Sequence, residues 1–121
     1  MGLDMYAYAT NEQPASPVDF STDDYARLHY WRKHPNLHGW MENLYREKGG
    51  AAECFNCVSV ELASEDLDRL EADVRAGNLP ETSGFFFGAS DGTEVEDDLA
   101  FIAKARQAIS EGESVFYSSW W

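Results

Sequence analysis

The chain has 121 residues, of which 44% are hydrophobic and 14% aromatic, so it can bury the core of one compact domain spanning residues 1–121. Its formal net charge is −13, and residues 51–121 alone contain fifteen acidic and four basic residues. This composition excludes a disordered chain, and its charge disfavours direct binding to nucleic acid or to an anionic membrane. It favours a partner that is itself basic, such as a protein that holds DNA or RNA.

The compartment is predicted from the N-terminus and from the cysteine content. Residues 1–9 lack the basic segment of a signal peptide, and Asp4 interrupts their apolar run. No stretch approaches the roughly 18 apolar residues that a membrane-spanning helix needs. Only two cysteines are present, Cys54 and Cys57. We therefore expect a cytoplasmic protein with reduced thiols.

The first half of the chain predicts a strand, a loop and a helix. Residues 2–10 alternate with period two, which is typical of a strand, and the tyrosines on its second face indicate that neither face is fully exposed. Residues 11–21 contain prolines and predict a surface loop, while residues 21–28 favour a short helical turn. Residues 30–33 should be extended. A helix is expected over 35–48, because apolar side chains recur there at helical spacing and glycines follow.

The second half predicts two strands and two helices. Residues 55–62 are β-branched and alternate, which predicts a strand with Cys57 as a small buried side chain. A helix should begin after Ser64 as its N-cap and end at Gly77. A second helix is expected over about 94–111, and residues 115–121 predict the last strand.

Two local patterns complete the prediction. Thr93 and Glu96 have the spacing of a capping box in front of the last helix, and residues 85–88 predict a short buried strand or an aromatic plug. The expected fold is therefore α+β, with one small, mainly antiparallel sheet of four to five strands packed by about three helices.

Short motifs in a fixed order resemble a family of small bacteriophage and prophage proteins, most of them uncharacterised. They are GLDMY at 2–6, YWRK at 30–33 with His38 and Trp40 after it, Asn56-Cys57 before a strand, Leu79-Pro80 ahead of FFFG, and YSSW at 117–120. The resemblance covers nearly the whole chain and departs at Pro35, where the family's helix is more continuous. It implies an accessory phage protein acting inside a bacterial cell, and it carries over no catalytic residue.

Metal binding and catalysis have weak support. Cys54 and Cys57 have the C-x-x-C spacing that, with His34 and His38, is found in Cys2His2 zinc sites. However, the order of the pairs is unusual, and His34, which precedes Pro35, cannot share a helical face with His38. No nucleophile elbow, P-loop, dinucleotide fingerprint or EF-hand pattern is present. We predict no metal, no cofactor and no catalytic residue.

Residues 29–40 form a basic and aromatic segment that contains all three histidines and two of the four tryptophans. In one interpretation the tryptophans fill the core and Arg32 pairs with acidic residues of the helices. In the other, the segment and the last strand line a pocket for a small anionic ligand such as a nucleotide, with an arginine on the phosphate and a ring stacked on the base. The candidate pocket residues are Tyr30, Arg32, Lys33, His34, His38, Tyr117 and Trp120.

Carboxylates crowd the two helices of the second half, where an ordinary solvated surface is the alternative to a binding face. Rows of carboxylates can imitate the phosphates of duplex DNA, which fall every ~1.7 Å of helix axis. The candidate partner-binding residues are Glu65, Asp66, Asp68, Glu71 and Asp73 on the first of these helices and Glu94, Glu96, Asp97 and Asp98 at the start of the second.

The predicted function combines this acidic face with the phage resemblance. We expect a cytoplasmic protein of the bacterial host cell that binds and inhibits a host nucleic-acid-handling defence complex, as an anti-CRISPR protein or DNA mimic would. The alternative function is a small-ligand module that uses the basic and aromatic segment. Neither is an enzyme, and the oligomeric state is left open.

Overall fold

The computed structural model describes residues 2–84 and 88–121 and shows one open, four-stranded antiparallel sheet with three helices. The predicted α+β class is confirmed. In chain order the elements are β1 (Asp4–Thr10), β2 (Ala26–Arg32), α1 (Pro35–Glu47), β3 (Ser59–Leu62), α2 (Ser64–Ala76), α3 (Val95–Ser110) and β4 (Ser114–Trp120). The strand order across the sheet is β2-β1-β4-β3.

The helices pack against one face of the sheet. Along β1, Met5, Ala7 and Ala9 are buried in the core, whereas the alternate residues Tyr6 and Tyr8 are only half-buried. Successive side chains of a strand point to opposite faces, so Tyr6 and Tyr8 lie on the face without helices. We call this second face the open face. Within the described residues, none of the helices has the length and apolar content to cross a membrane.

The helical turn predicted for residues 21–28 is wrong, because β2 already begins at Ala26. Ala26 pairs with Ala9 of β1, and backbone hydrogen bonds between strands outweigh the local capping preference. The Thr22 hydroxyl instead accepts the Asp24 N–H within the preceding turn, at 3.1 Å.

The strand predicted for residues 55–62 is shorter, since β3 begins at Ser59. Cys57 has a positive φ of 59° and is exposed, so its predicted role as a buried small side chain is also wrong. Phe55 does enter the core, where its ring lies 4.9 Å from that of His38. An irregular segment thus replaces the first half of the predicted strand.

Two predicted helix starts differ in their caps. The N-cap of α2 is Ala63 instead of Ser64, and its N–H is bound by the Asp66 carboxylate at 2.8 Å. The capping box of Thr93 and Glu96 is wrong, because the N-cap of α3 is Glu94. The Glu94 carboxylate accepts backbone N–H groups of the preceding turn instead. Residues 85–87, for which a strand or plug was predicted, lie outside the described residues.

Candidate functional site

The open face carries aromatic and charged side chains in rows set by strand pairing. In each row, directly opposed side chains of neighbouring strands lie about 5 Å apart at Cβ. The rows are Arg32–Asp4–Trp120, Tyr30–Tyr6–Ser118 and Arg27–Tyr8–Phe116. Each row therefore contains at least one aromatic ring, and the row at one end also contains the ion pair of Arg32 with Asp4.

Three of the large side chains at this face are well exposed: Tyr25 at 56%, Tyr30 at 41% and Trp120 at 67%. The Tyr30 hydroxyl donates to Asp4 at 2.7 Å, and the Arg27 guanidinium lies 5.6 Å from the Tyr30 ring centre. Exposed apolar side chains that are grouped in one patch mark interaction sites, whereas singly scattered ones are ordinary. The open face is therefore the strongest candidate site.

A cleft of about 400 Å³ lies at one end of the open face, between the loop before β2 and the start of β3. Its walls are rings set at steep angles. The Tyr8 and Tyr25 centroids are 5.1 Å apart at 76°, and those of Phe20 and Phe116 are 5.0 Å apart at 78°. Tyr8 and Phe116 lie side by side at 5.2 Å. We call this site the aromatic cleft; its volume suits a side chain or a small ligand.

The loop that forms one wall of the aromatic cleft is acidic. Residues 11–25 contain four carboxylates and no basic residue. One of them, Asp19, lines the cleft and is held by the Tyr45 hydroxyl, which donates to its carboxylate at 2.7 Å. Burial raises the pKa of Tyr8, so its phenol stays neutral at physiological pH. The cleft therefore combines neutral rings with negative charge.

The seven predicted pocket residues do not form one pocket. Tyr30, Arg32 and Trp120 lie on the open face, whereas His38 and Tyr117 are buried on the helical side. His34, also buried, and the half-buried Lys33 follow β2 at its end. The sheet itself separates the two groups, because alternate residues of a strand point to opposite faces.

His38 is a core residue. Its Nδ1 lies 2.7 Å from the Tyr117 hydroxyl, and burial lowers the pKa of the imidazole to about 4. Burial also raises the pKa of Tyr117 well above its usual value. Both side chains are therefore neutral at physiological pH, and their position predicts a role in core packing.

The structural interpretation of the basic and aromatic segment is confirmed for its tryptophans. Trp31 is buried and donates from its indole N–H to Asp98 at 3.1 Å, and Trp40 donates in the same way to Asp73 at 2.8 Å. The predicted pairing of Arg32 with helix carboxylates is wrong. Its Nε lies 3.6 Å from Asp4 of the neighbouring strand.

The predicted acidic face loses members to the core. Asp66 and Asp98 are 5% and 1% exposed, so their assignment to an outer surface is wrong. Arg106 binds both Asp68 and Glu71, at 2.8 and 2.6 Å, which neutralises part of the α2 surface. Asp73 and Glu94 are engaged with Trp40 and with turn N–H groups, as described above. Glu65 and Glu96 remain exposed, and so does Asp97, whose Oδ2 lies 2.9 Å from His29 Nε2.

Metal ligation has no geometric support in the described ranges. Within residues 2–84 and 88–121, no group of three or more His, Cys, Asp or Glu side chains is placed to hold a metal ion. Cys54 and Cys57 are exposed, while His34 and His38 are buried and hydrogen-bonded. The cysteines and histidines therefore occupy different environments.

Sequence reasoning missed the aromatic cleft. Tyr8 was recognisable as the second face of a strand, but Phe20 and Tyr25 belong to a segment predicted as loop and helical turn. Their convergence depends on the chain from residue 16 to 20 folding over β3, where Asp19 N–H binds the Ser59 carbonyl at 3.0 Å. A run of four carboxylates with interspersed rings was the available signal.

No protein-family model, curated protein or solved structure matches the chain.

Proposed function

We propose that this protein binds a positively charged partner protein on the open face, with a lysine or arginine side chain of the partner seated in the aromatic cleft. One observation carries the proposal: the same cleft is lined by aromatic rings at steep angles and by an acidic loop. A cation is attracted to the face of an aromatic ring, by ~0.5–2 kcal/mol per contact, and a nearby carboxylate adds to that attraction. The partner's aliphatic stem would lie along the rings.

Charge decides between a cationic and an anionic occupant. The open face has two guanidinium groups, those of Arg27 and Arg32, of which the second lies beside Asp4. Against them stand the four carboxylates of residues 11–25 and a net charge of −13. An anionic nucleotide would therefore meet repulsion, whereas a basic partner is steered towards the face. Exposed Tyr, Trp and Arg side chains are also the residues that dominate protein–protein binding energy.

We further propose that the basic partner is a nucleic-acid-binding complex of a bacterial host cell. A cytoplasmic protein of bacteriophage type, acting in the bacterial host cell, would meet basic partners among the complexes that hold nucleic acid. Such complexes expose lysine and arginine for phosphate contacts, and those side chains match the aromatic cleft. Occupying them would inhibit the complex. The motif resemblance and the net charge support this form of the proposal.

The test uses a fluorescent nine-residue arginine peptide and measures its affinity by anisotropy at low salt. Tyr25→Ala removes one wall of the aromatic cleft, and we expect roughly tenfold weaker binding, about 1.4 kcal/mol. Tyr25 is 56% exposed, so this change leaves the fold intact. Added nucleotide should not compete, whereas competition by nucleotide would instead favour the anionic-ligand alternative.

A matched pair of charge variants locates the contact. Asp23→Asn and Glu65→Gln each remove one exposed carboxylate, the first in the acidic loop and the second on α2. Both change the net charge equally, so a difference between them reports position. We expect Asp23→Asn to weaken the peptide several-fold and Glu65→Gln by less than twofold. Equal losses, with no effect of Tyr25→Ala, would reduce the binding to unspecific charge attraction.

The exposed carboxylates of the helices support a second candidate function. The helices α2 and α3 pack against each other, and Glu65, Glu96 and Asp97 remain at their surface. A DNA mimic would use this surface to fill the basic groove of a nucleic-acid-binding complex. The double variant Glu65→Lys/Glu96→Lys should then abolish competition with DNA for that complex, whereas Tyr25→Ala should not.

A further inference from the structure

A hydrogen-bonded chain of serine, histidine and aspartate lies outside the open face, between the end of β2 and the start of α3. The Ser90 Oγ is 2.7 Å from His34 Nδ1, and His34 Nε2 is 2.8 Å from Asp98 Oδ2. His34 and Asp98 are buried, at 4% and 2% side-chain exposure, whereas Ser90 is half-buried. These are the distances and burial that a nucleophilic serine, its base and the base's orienting carboxylate require.

The hydrogen bonds assign the protons. An ionised carboxylate only accepts, and Asp98 faces two donors, the Trp31 indole N–H at 3.1 Å and His34 Nε2. A neutral His34 that donates from Nε2 to this carboxylate presents the Nδ1 lone pair to Ser90. The Ser90 oxygen accepts the Asn36 backbone N–H at 3.1 Å, and its own hydrogen is free to be donated to the Nδ1 lone pair. The chain is thus polarised from serine to aspartate.

In the common serine–histidine–aspartate triad the aspartate is bound to Nδ1 and the serine to Nε2. In His34 the two nitrogens have the reverse roles, with Asp98 on Nε2 and Ser90 on Nδ1. Proton transfer depends on one N–H held by the carboxylate and one lone pair facing the hydroxyl, and either nitrogen can serve in either role. The Asn36 N–H belongs to the first turn of α1, where the helix dipole favours negative charge. This N–H donates to the Ser90 Oγ, the oxygen that would react.

A cavity of about 100 Å³ opens beside Ser90 and His34. Val74, Leu79 and Val95 line its apolar part. A volume of this size admits an acyl group of a few carbons and excludes a long chain or a folded peptide. The apolar lining matches the hydrocarbon part of such a group.

We infer that Ser90, His34 and Asp98 form a second site, a nucleophilic serine centre for esters of short carboxylic acids. As the Ser90 oxygen bonds to the ester carbonyl carbon, its proton moves to His34 Nδ1 and the carbonyl π pair moves onto oxygen. When the tetrahedral intermediate collapses, the bond to the alcohol oxygen breaks, and the alcohol leaves with the proton from His34. Water then attacks the acyl-serine in the same way, giving the carboxylic acid and restoring Ser90.

Ser90 also has a structural use, since it caps the first turn of α1 through Asn36. A cap alone needs neither the lone pair of His34 nor a cavity beside the hydroxyl. Reaction at Ser90 separates the two roles, because a capping serine has no enhanced nucleophilicity.

The test needs no variant for its first measurement. The wild-type protein is treated with a fluorophosphonate probe, and the modified peptide is located by mass spectrometry; we expect one label, on Ser90. Hydrolysis of p-nitrophenyl acetate should be saturable and much faster than that of the octanoate. Ser90→Ala should lower the rate about a hundredfold, and Ser83→Ala, at an exposed serine of the same loop, should leave it unchanged.

Two results would contradict a nucleophilic role of Ser90 or the role of the cavity. Absence of a label at Ser90 in the folded wild-type protein, with ester hydrolysis that does not saturate, would reduce the three residues to a helix cap. Equal rates for acetate and octanoate would refute the role of the cavity. If Ser90→Ala fails to fold, the wild-type label and the acyl-chain preference still decide the proposal.

Discussion

The burial of His38 predicts a defined loss of stability in mild acid. The imidazole is 1% exposed and its pKa falls to about 4, because burial penalises the charged form. In the unfolded chain the pKa returns to its ordinary value of about 6.5. Between these values the unfolded state binds a proton that the folded state does not, so the free energy of unfolding falls as the pH falls. Above pH ~6.5 the contribution of His38 is fully present.

The magnitude follows from the two pKa values. Over the full window from pH ~6.5 to pH ~4 the loss reaches about 3 kcal/mol, and between pH 7.5 and pH 5 it is about 2 kcal/mol. Urea unfolding at both pH values, followed by tryptophan fluorescence, measures this loss directly. His38→Asn is the matched variant, since its amide oxygen stands near Nδ1 and can accept from Tyr117 without titrating. Carboxylates titrate in both proteins, so the difference isolates His38.

We expect the variant to be less stable at pH 7.5, because it leaves space in the core, and to lose about 2 kcal/mol less than the wild type on going to pH 5. Equal pH dependence of the two proteins would refute the reasoning. It would mean that His38 titrates near its ordinary pKa and is therefore not held in the dry core described above.

Two further predictions concern the core. Asp98→Asn makes the indole and imidazole N–H groups compete for one amide oxygen, and should cost about 2–4 kcal/mol in urea unfolding. Asp97→Asn is the neighbouring control: its side chain is 54% exposed, and an amide oxygen can still accept from His29 Nε2, so it should cost under about 1 kcal/mol. Equal costs would contradict the buried network. Gly39→Ala would normally stabilise a helix by about 1 kcal/mol, but its Cβ would overlap the Thr82 Oγ1. A melting curve should therefore show destabilisation that Thr82→Ala largely relieves, and a more stable Gly39→Ala would contradict the packing of residue 82 on α1.

Much of the fold was predictable because the pattern of the elements is local. The spacing of the apolar residues predicts the helix that begins at Pro35. The β-branched and aromatic composition of the last segment predicts the last strand. The predictions were wrong for segments whose conformation depends on residues that are distant in the sequence. Ala26–Leu28 become a strand only because β1 offers hydrogen bonds, and Cys57 is turned outward by an irregular segment that the sequence pattern does not show.

The sites were less predictable than the fold for the same reason. Ser90 and His34 are separated by 56 residues, and no local pattern marks a serine in an irregular loop as the partner of a histidine before a proline. On the acidic helices the sequence predicted too large a site, because its pattern does not distinguish the buried Asp98 from the exposed carboxylates beside it. Only the packed structure shows it beneath Trp31 and His34.

The location of the bound peptide tests the central claim most directly. Amide chemical shifts of the ¹⁵N-labelled protein should be recorded while the nine-residue arginine peptide is added at low salt. Saturable shifts at residues 19–25, 57–59 and 116–118, with little change along α2, are the predicted result, since these segments form the aromatic cleft. Shifts confined to α2 and the first turn of α3 would contradict the account and place the binding surface on the acidic helices.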